Sequence, residues 1–264
     1  MNAALLACRT ETEMFRVRLA DDSLDLFEQF MKLRRDQAEG RFANLAHDAD
    51  YWRKRVSFLG EKYQDQYTFT RVPWRLTTVN GSYFGQFYQQ TYDDASRVAK
   101  DFVILTPKPL RDFRYQPDGD KSGETKGWAK PDFDDSNWKS TDVCVDTWSS
   151  IGHHSWFKSM WYRTTVTVPA VPKTTPEKKI YLWLGSTDGS SKVFVNGQHI
   201  PYADPKKGPA DEFNGYCQPV SFDITATVKP GQPNQISILC TRTFFNELGT
   251  GGLLGPVTIY REKP

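Results

Sequence analysis

The stretch from Trp148 to Trp156 combines two adjacent histidines, His153 and His154, with aromatic residues. No further ligand stands at a spacing typical of zinc sites, so a metal centre is not favoured. A sugar ring offers an apolar face to an aromatic side chain and hydroxyls to polar groups, and small-ligand sites combine both kinds of contact. We therefore interpret His153, His154 and Trp156 as a candidate carbohydrate-binding loop. The alternative is a loop that folds on itself.

Acidic residues form the second group of candidates. Asp134-Asp135-Ser136 could suggest a metal or a catalytic pair, but adjacent Asp residues before Ser are typical of a turn whose side chains bond their own backbone. A structural calcium ion is another hypothesis, since carboxylate oxygens bind calcium. Its candidate ligands, with no set assigned, are Asp188, Asp204, Asp211, Glu212 and Asp223.

The totals narrow the class of protein. The 264 residues carry a formal net charge of +2 and no long basic run, so neither nucleic acid nor an anionic membrane is expected as a partner. The four cysteines lack metal-site spacing, which favours buried thiols, with one disulfide as the alternative. No apolar run approaches the roughly 18 residues of a membrane span. The start, Met1 to Cys8, loosely resembles a lipoprotein cleavage box but lacks its basic region, so we predict a helical turn there and no signal peptide.

The first part of the chain has helical periodicity. Apolar residues at spacings of three, four and seven predict a helix from about Thr10 to Ala38 and a second from Phe42 to Tyr63, paired as a hairpin near Gly40. The same spacing predicts a third helix from Phe84 to Phe102. We assign residues 1–105 to a helical region.

The remainder alternates like strands. Short runs bounded by turn residues, without helices between them, predict an antiparallel β-sandwich over residues 106–264. Asn196-Gly197 is the strongest hairpin signal, because both residues tolerate a positive φ. The predicted strands are Leu110–Tyr115, Val143–Val145, Trp161–Val168, Ile180–Leu184, Val193–Val195, Val220–Ile224, Ile236–Cys240 and Val257–Tyr260.

From about residue 110 to the end, the chain resembles the sugar-binding domain of glycoside hydrolase family 2, a galactose-binding-like jelly roll. The order and spacing of several motifs carry the resemblance: Trp128 with Pro131–Trp138, Trp161–Thr164, Val166–Pro169, Asp188-Gly189, Val193–Gly197, Gly215-Tyr216, Pro219–Thr225 and Pro230-Gly231.

The resemblance implies a carbohydrate-recognition domain that accompanies a glycosidase, whose catalytic barrel this chain does not contain. The helical part is similar to a region that precedes such sandwiches in large bacterial glycan-degrading proteins. The chain is then expected to be the C-terminal part of a larger protein, secreted or periplasmic. In the family, the loop between the last two strands carries an acidic residue that reaches towards the substrate. Here the Arg-x-x-Asp-Gly pattern is altered, and Asn246 and Glu247 are the candidates by position.

Three functions follow as hypotheses. The leading one is a non-catalytic module that binds a galactoside-type glycan or plant polysaccharide, through His153–Trp156, Tyr216 and Asn246–Glu247. The second is a glycoside hydrolase of the β-galactosidase or β-glycosidase type, whose two carboxyl groups would stand about 5–5.5 or 6.5–9.5 Å apart. Glu247 is then the candidate acid, with Asp188, Asp211 or Glu212 as partner. The third is an interaction domain that buries a partner domain through exposed apolar residues of its helices.

Overall fold

The computed structural model describes residues 2–63, 88–106, 108–170, 178–243 and 251–263. Four described helices come first along the chain: α1 (Asn2–Ala7), α2 (Glu11–Ala38), α3 (Leu45–Lys62) and α4 (Gln90–Asp101). A capping box starts α2, because Glu13 N donates to Thr10 Oγ1 and Thr10 N donates to the Glu13 carboxylate. The predicted helices are confirmed, although the expected start of the third, Phe84, lies outside the described ranges.

The strands follow the helices, and every described pairing is antiparallel. They are β1 (Phe102–Ile104), β2 (Asp112–Asp118), β3 (Lys139–Asp142), β4 (Ser159–Thr167), β5 (Ile180–Val195), β6 (Gln198–Ile200), β7 (Tyr202–Asp204), β8 (Gly208–Ala210), β9 (Phe213–Asp223), β10 (Pro233–Thr241), β11 (Gly252–Leu253) and β12 (Val257–Glu262).

The long strand β5 belongs to both layers of the sandwich. Its first half pairs with β12 and with the end of β9, and its second half pairs with β10, β6 and the start of β9. The register with β9 shifts between Leu184 and Thr187, where one layer passes into the other. Apolar side chains from both halves, such as Leu182 and Val193, pack in one buried core. The fold is a mainly β antiparallel sandwich preceded by helices, as the sequence predicts.

Two strand predictions need correction. Ile180–Leu184 and Val193–Val195 belong to the single strand β5, because the intervening Asp188-Gly189 lies within paired strand instead of forming a turn. Val143–Val145 forms a turn that follows β3. The carboxylate of Asp142 accepts a hydrogen bond from Cys144 N at 3.0 Å, and such local side-chain bonds compete with strand pairing.

The predicted hairpin is confirmed. Asn196 and Gly197 have φ angles of 53° and 81° and join β5 to β6 as a two-residue hairpin loop. The four cysteines are free, and the expected burial holds for Cys217 and Cys240, whereas Cys8 and Cys144 are only partly buried. None of the described helices combines the length and apolar character that crossing a membrane requires.

The outer faces of both layers are covered. Helices α2, α3 and α4, here called the helical cover, pack on Trp183 and Tyr260 of the first layer. Residues 119–138, here called the loop cover, pack on Trp161 and Phe194 of the second layer. Away from these contacts, the helices expose Leu24, Phe27, Met31, Tyr51 and Phe58. The interaction-domain hypothesis requires exposed apolar side chains of this kind, and it stays a prediction.

Candidate functional site

A groove of about 330 Å³ lies on the outer face of the second layer, beside the loop cover. We call it the outer groove. Its floor is the sheet, where alternate residues of β5 and β10 point outward while their neighbours enter the core. The residues lining it are Asp118, Lys121, Glu124, Ser159, Gly189, Ser190, Lys192, Glu212, Asn214, Leu239, Thr241 and Thr243.

Two carboxylates hold the side chain of Lys192 in the groove. Its ammonium contacts a carboxylate oxygen of Glu124 at 3.2 Å and one of Asp211 at 3.0 Å, although it is only 21% exposed. Partial burial opposes the charged form, but the two carboxylates raise the pKa of Lys192 overall. An ammonium has three N–H donors, so two ion pairs leave one donor for a ligand.

Asp118 fixes the wall that the loop cover presents to the groove. Its buried carboxylate accepts from Trp161 Nε1 at 2.9 Å, from Ser122 N at 2.9 Å and from Gly123 N at 3.1 Å. The same turn holds Lys121 at a φ of 58°, which is unusual for a residue other than glycine. The backbone of this wall is therefore positioned by the sheet beneath it.

The predicted histidine loop adjoins the groove without lining it. Trp156 Nε1 donates to the carbonyl of Ser159, a lining residue, at 3.0 Å. The His153 ring lies between those of Tyr115 and Trp156, at centroid distances of 5.9 and 5.7 Å, and burial lowers the pKa of His153. His154 is exposed and lies outside the lining.

The remaining predicted residues are distributed differently. Tyr216 is half-buried on β9, opposite Asp188 of β5, and does not line the groove. Asp188 is buried, and its carboxylate accepts from Gly251 N at 2.8 Å, so it positions backbone. Glu212 lines the groove. Asp211 does not line it, but its carboxylate contacts the ammonium of Lys192, which does. Asn246 and Glu247 lie outside the described residues.

Sequence reasoning missed Lys192, Glu124 and Asn214. The signal that could have found Lys192 is the pair Ser190 and Lys192, two outward positions in a strand that is otherwise apolar around Val193–Val195. Glu124 carried no such signal, since it meets Lys192 from 68 residues away in the chain.

Two carboxyl groups do lie close together at the groove. Glu124 and Asp211 both contact the single ammonium of Lys192. The hydrogen bond from Lys192 lowers the pKa of Asp211, however, whereas a general acid needs a raised pKa. The arrangement suits charge-assisted hydrogen bonding better than proton transfer to a leaving group.

The other acidic candidates serve local structure in the described ranges. Asp134 accepts from Ser136 N at 2.9 Å, which confirms the predicted turn, and the neighbouring Asp135 pairs with Arg163 at 2.7 Å. Asp204 accepts from Lys206 N and Lys207 N, and Asp223 accepts from Thr225 N. Within the part of the chain that the structure describes, no three Asp, Glu, His or Cys side chains form a group that could hold a metal ion.

Comparison with known proteins gives matches among solved structures alone. No protein-family model matches the chain, and no curated protein does. A β-glucuronidase from Ruminococcus gnavus aligns with a TM-score of 0.48 and 20% identity over 62% of this chain and 29% of that chain. A β-glucuronidase from Bacteroides uniformis aligns with a TM-score of 0.42 and 20% identity over 57% and 17% of the two chains. The chain thus spans less than a third of the length of these enzymes.

Proposed function

We propose that this chain is a non-catalytic carbohydrate-binding module that holds a glycan in the outer groove and serves as an accessory to a glycoside hydrolase. The observation that carries the proposal is Lys192, a charged donor held between Glu124 and Asp211 at the base of a polar groove. Fixed polar groups of this kind bind hydroxyls well, because little side-chain freedom is lost when the ligand arrives.

The rest of the lining supports the same ligand class. Ser190, Asn214 and Thr243 add hydroxyl and amide groups, and Leu239 adds an apolar surface in the floor. The volume falls at the lower end of the range of small-ligand sites, about 300–1,000 Å³. Such a site fits a short stretch of a glycan, and we expect modest affinity because a shallow groove buries little of the ligand.

The test is calorimetric titration of the purified chain with a panel of soluble oligosaccharides, galactosides and plant polysaccharide fragments included. Lys192→Met should weaken binding of whichever glycan binds by about ten- to a hundredfold, as expected for loss of a charge-assisted hydrogen bond. Lys139→Met is the matched control, since Lys139 is an exposed lysine outside the groove lining. Equal affinity of wild type and Lys192→Met would refute the assignment of the groove.

Hydrolysis by the chain itself is tested in the same samples with nitrophenyl glycosides. We expect no turnover by the wild type or by any of three variants: Asp211→Asn, Glu212→Gln and Glu247→Gln. Turnover that is lost in one of these variants would replace the binding module with a glycosidase.

A further inference from the structure

We propose that α2 pairs with α2 of a second copy of this chain, antiparallel and about a two-fold axis, through an exposed apolar stripe. The stripe consists of Leu24, Phe27 and Met31, and we call it the α2 stripe. This inference goes beyond the proposed function and does not depend on it, because the outer groove lies on the sheet of the second layer.

The α2 stripe lies on the side of the helix that faces away from the core. Leu26, Phe30 and Leu33 of the same helix pack in the core that the helical cover shares with the sheet. The stripe residues follow one another at spacings of three and four, which places them on one face of the helix. Their exposed fractions are 55%, 59% and 48%. Apolar side chains exposed together in this way mark a surface where another protein binds.

Two charged side chains stand at the ends of the α2 stripe. Asp21 precedes Leu24 by three residues and Arg35 follows Met31 by four, so each is a neighbour of the stripe on the helix surface. Among the described residues neither forms an ion pair, whereas Asp22 of the same helix pairs with two cations of α3. Asp21 and Arg35 lie about 21 Å apart along the helix axis, so they cannot pair with each other.

The order of these residues is self-complementary. A two-fold interface joins the same surface patch of both copies, and two helices related by it can run in opposite directions. The α2 stripe is centred midway between Phe27 and Glu28, and the positions of Asp21 and Arg35 are centred on Glu28. A two-fold axis here packs one stripe on the other. It also sets Asp21 of each copy opposite Arg35 of the other, on the same side of the helix pair, because four helical turns comprise about 14.4 residues.

Glu28 limits the strength of this pairing. It is exposed and lies close to the axis, so the Glu28 carboxylates of the two copies approach each other and repel. The apolar contact is also small, with three side chains from each copy. We therefore expect a weak dimer that forms at high protein concentration, as is typical of small interfaces.

The test is sedimentation velocity of the purified chain over a series of rising concentrations. The sedimentation coefficient of the wild type should increase with concentration, whereas Phe27→Ser should stay monomeric. Phe58→Ser is the matched control, because Phe58 on α3 is 53% exposed but lies outside the α2 stripe, and this variant should associate like the wild type. Equal urea midpoints of both variants show that the fold is retained.

Charge variants test the antiparallel arrangement. Asp21→Arg and Arg35→Asp should each weaken association by about tenfold, because each removes two ion pairs and sets like charges opposite each other. The two changes together set opposite charges against each other again and should restore the affinity. Glu28→Gln should strengthen association, because it removes the repulsion at the axis.

The outcomes separate the steps of the inference. A wild type that stays monomeric at every concentration would overturn the proposal. Association that persists in Phe27→Ser would overturn the assigned surface. Association that is lost in Phe27→Ser, but that the combined charge reversal fails to restore, would overturn the antiparallel pairing. The glycan titration tests the outer groove separately, so none of these results affects the proposed function.

Discussion

The helical cover and the loop cover each bury the outer face of one layer of the sandwich. In each layer a fully buried tryptophan of the sheet donates its indole N–H to an aspartate: Trp183 to Asp94 of the helical cover at 2.8 Å, and Trp161 to Asp118, the last residue of β2 before the loop cover, at 2.9 Å. The helical cover satisfies its own backbone through helical hydrogen bonds. The loop cover is a series of turns with hydrogen bonds of their own, and some of its carbonyls, such as those of Trp128 and Phe133, accept from the sheet instead.

Arg163 of β4 donates these hydrogen bonds. Its guanidinium donates to the carbonyls of Trp128, Lys130 and Phe133 and to the carboxylate of Asp135, while only 1% of the side chain is exposed. A helix can therefore cover a sheet by its apolar stripe, whereas an irregular segment requires a buried side chain with several donors. The irregular cover also leaves a groove at its edge.

The largest predicted effect comes from removing the contacts that Arg163 makes with the loop cover. Arg163→Met should lower the free energy of unfolding by about 3–5 kcal/mol, because it leaves a carboxylate and buried carbonyls without their donor. Urea unfolding measures the change. Arg114 also donates to two carbonyls of the loop cover, those of Ser136 and Trp138, but it is 44% exposed and lies 3.7 Å from the same Asp135. Because water can replace its contacts, Arg114→Met should cost only about 1 kcal/mol. Similar costs at both positions would show that burial of Arg163 is not what holds the cover.

A matched pair of substitutions compares the two tryptophans. Trp161→Phe should cost about 1–3 kcal/mol more than Trp183→Phe, because it leaves the buried Asp118 one donor short. Asp94 is less dependent on its tryptophan, since it keeps Arg97 at 2.6 Å and is partly exposed. Both indoles are fully buried, so the loss of ring volume is matched. Double-mutant cycles with Asp118→Asn and Asp94→Asn isolate each hydrogen bond, and equal coupling energies would contradict the prediction.

A smaller effect concerns the start of the helical cover. Thr10→Ala removes the side-chain cap of α2 and should destabilise its first turn by about 1 kcal/mol. Amide hydrogen exchange in that turn should accelerate, whereas exchange in β5 should not change. Thr10→Ser retains the hydroxyl and is the control, so faster exchange in that variant would argue against a capping effect.

The smallest predicted effect is a pH dependence beside the loop cover. Burial, with a smaller contribution from Lys139, lowers the pKa of His153. The His153 ring therefore binds a proton more readily in the unfolded chain than in the folded protein. The contribution of His153 to the free energy of unfolding is therefore constant above about pH 6.5, the ordinary pKa of histidine. It declines as the pH falls from there through the lower folded pKa, and it levels off below the folded pKa. His153→Gln should reduce the loss of stability on acidification, whereas His154→Gln should leave it unchanged.

The sequence predicted what depends on periodicity and local geometry. Apolar spacing located α2 and α3, alternation located most strands, and Asn196-Gly197 located a hairpin. The outer groove was not predictable, because Asp118, Glu124 and Lys192 meet only after the loop cover folds onto the sheet. A charged residue in a strand pattern indicates an outward position and does not reveal its partner. Trp156 and Glu212 were chosen for their chemistry, and their relation to the groove came from the tertiary structure.

Because β5 crosses from one layer to the other, its amides are shielded on both sides by partner strands along most of its length. We expect their exchange with solvent to proceed through global unfolding. Lys192 is anchored to this slow-exchanging strand, while Lys121 and Glu212 stand on segments without strand pairing. The floor of the groove is therefore a kinetically rigid base, and its walls can adjust on a faster timescale without disturbing it.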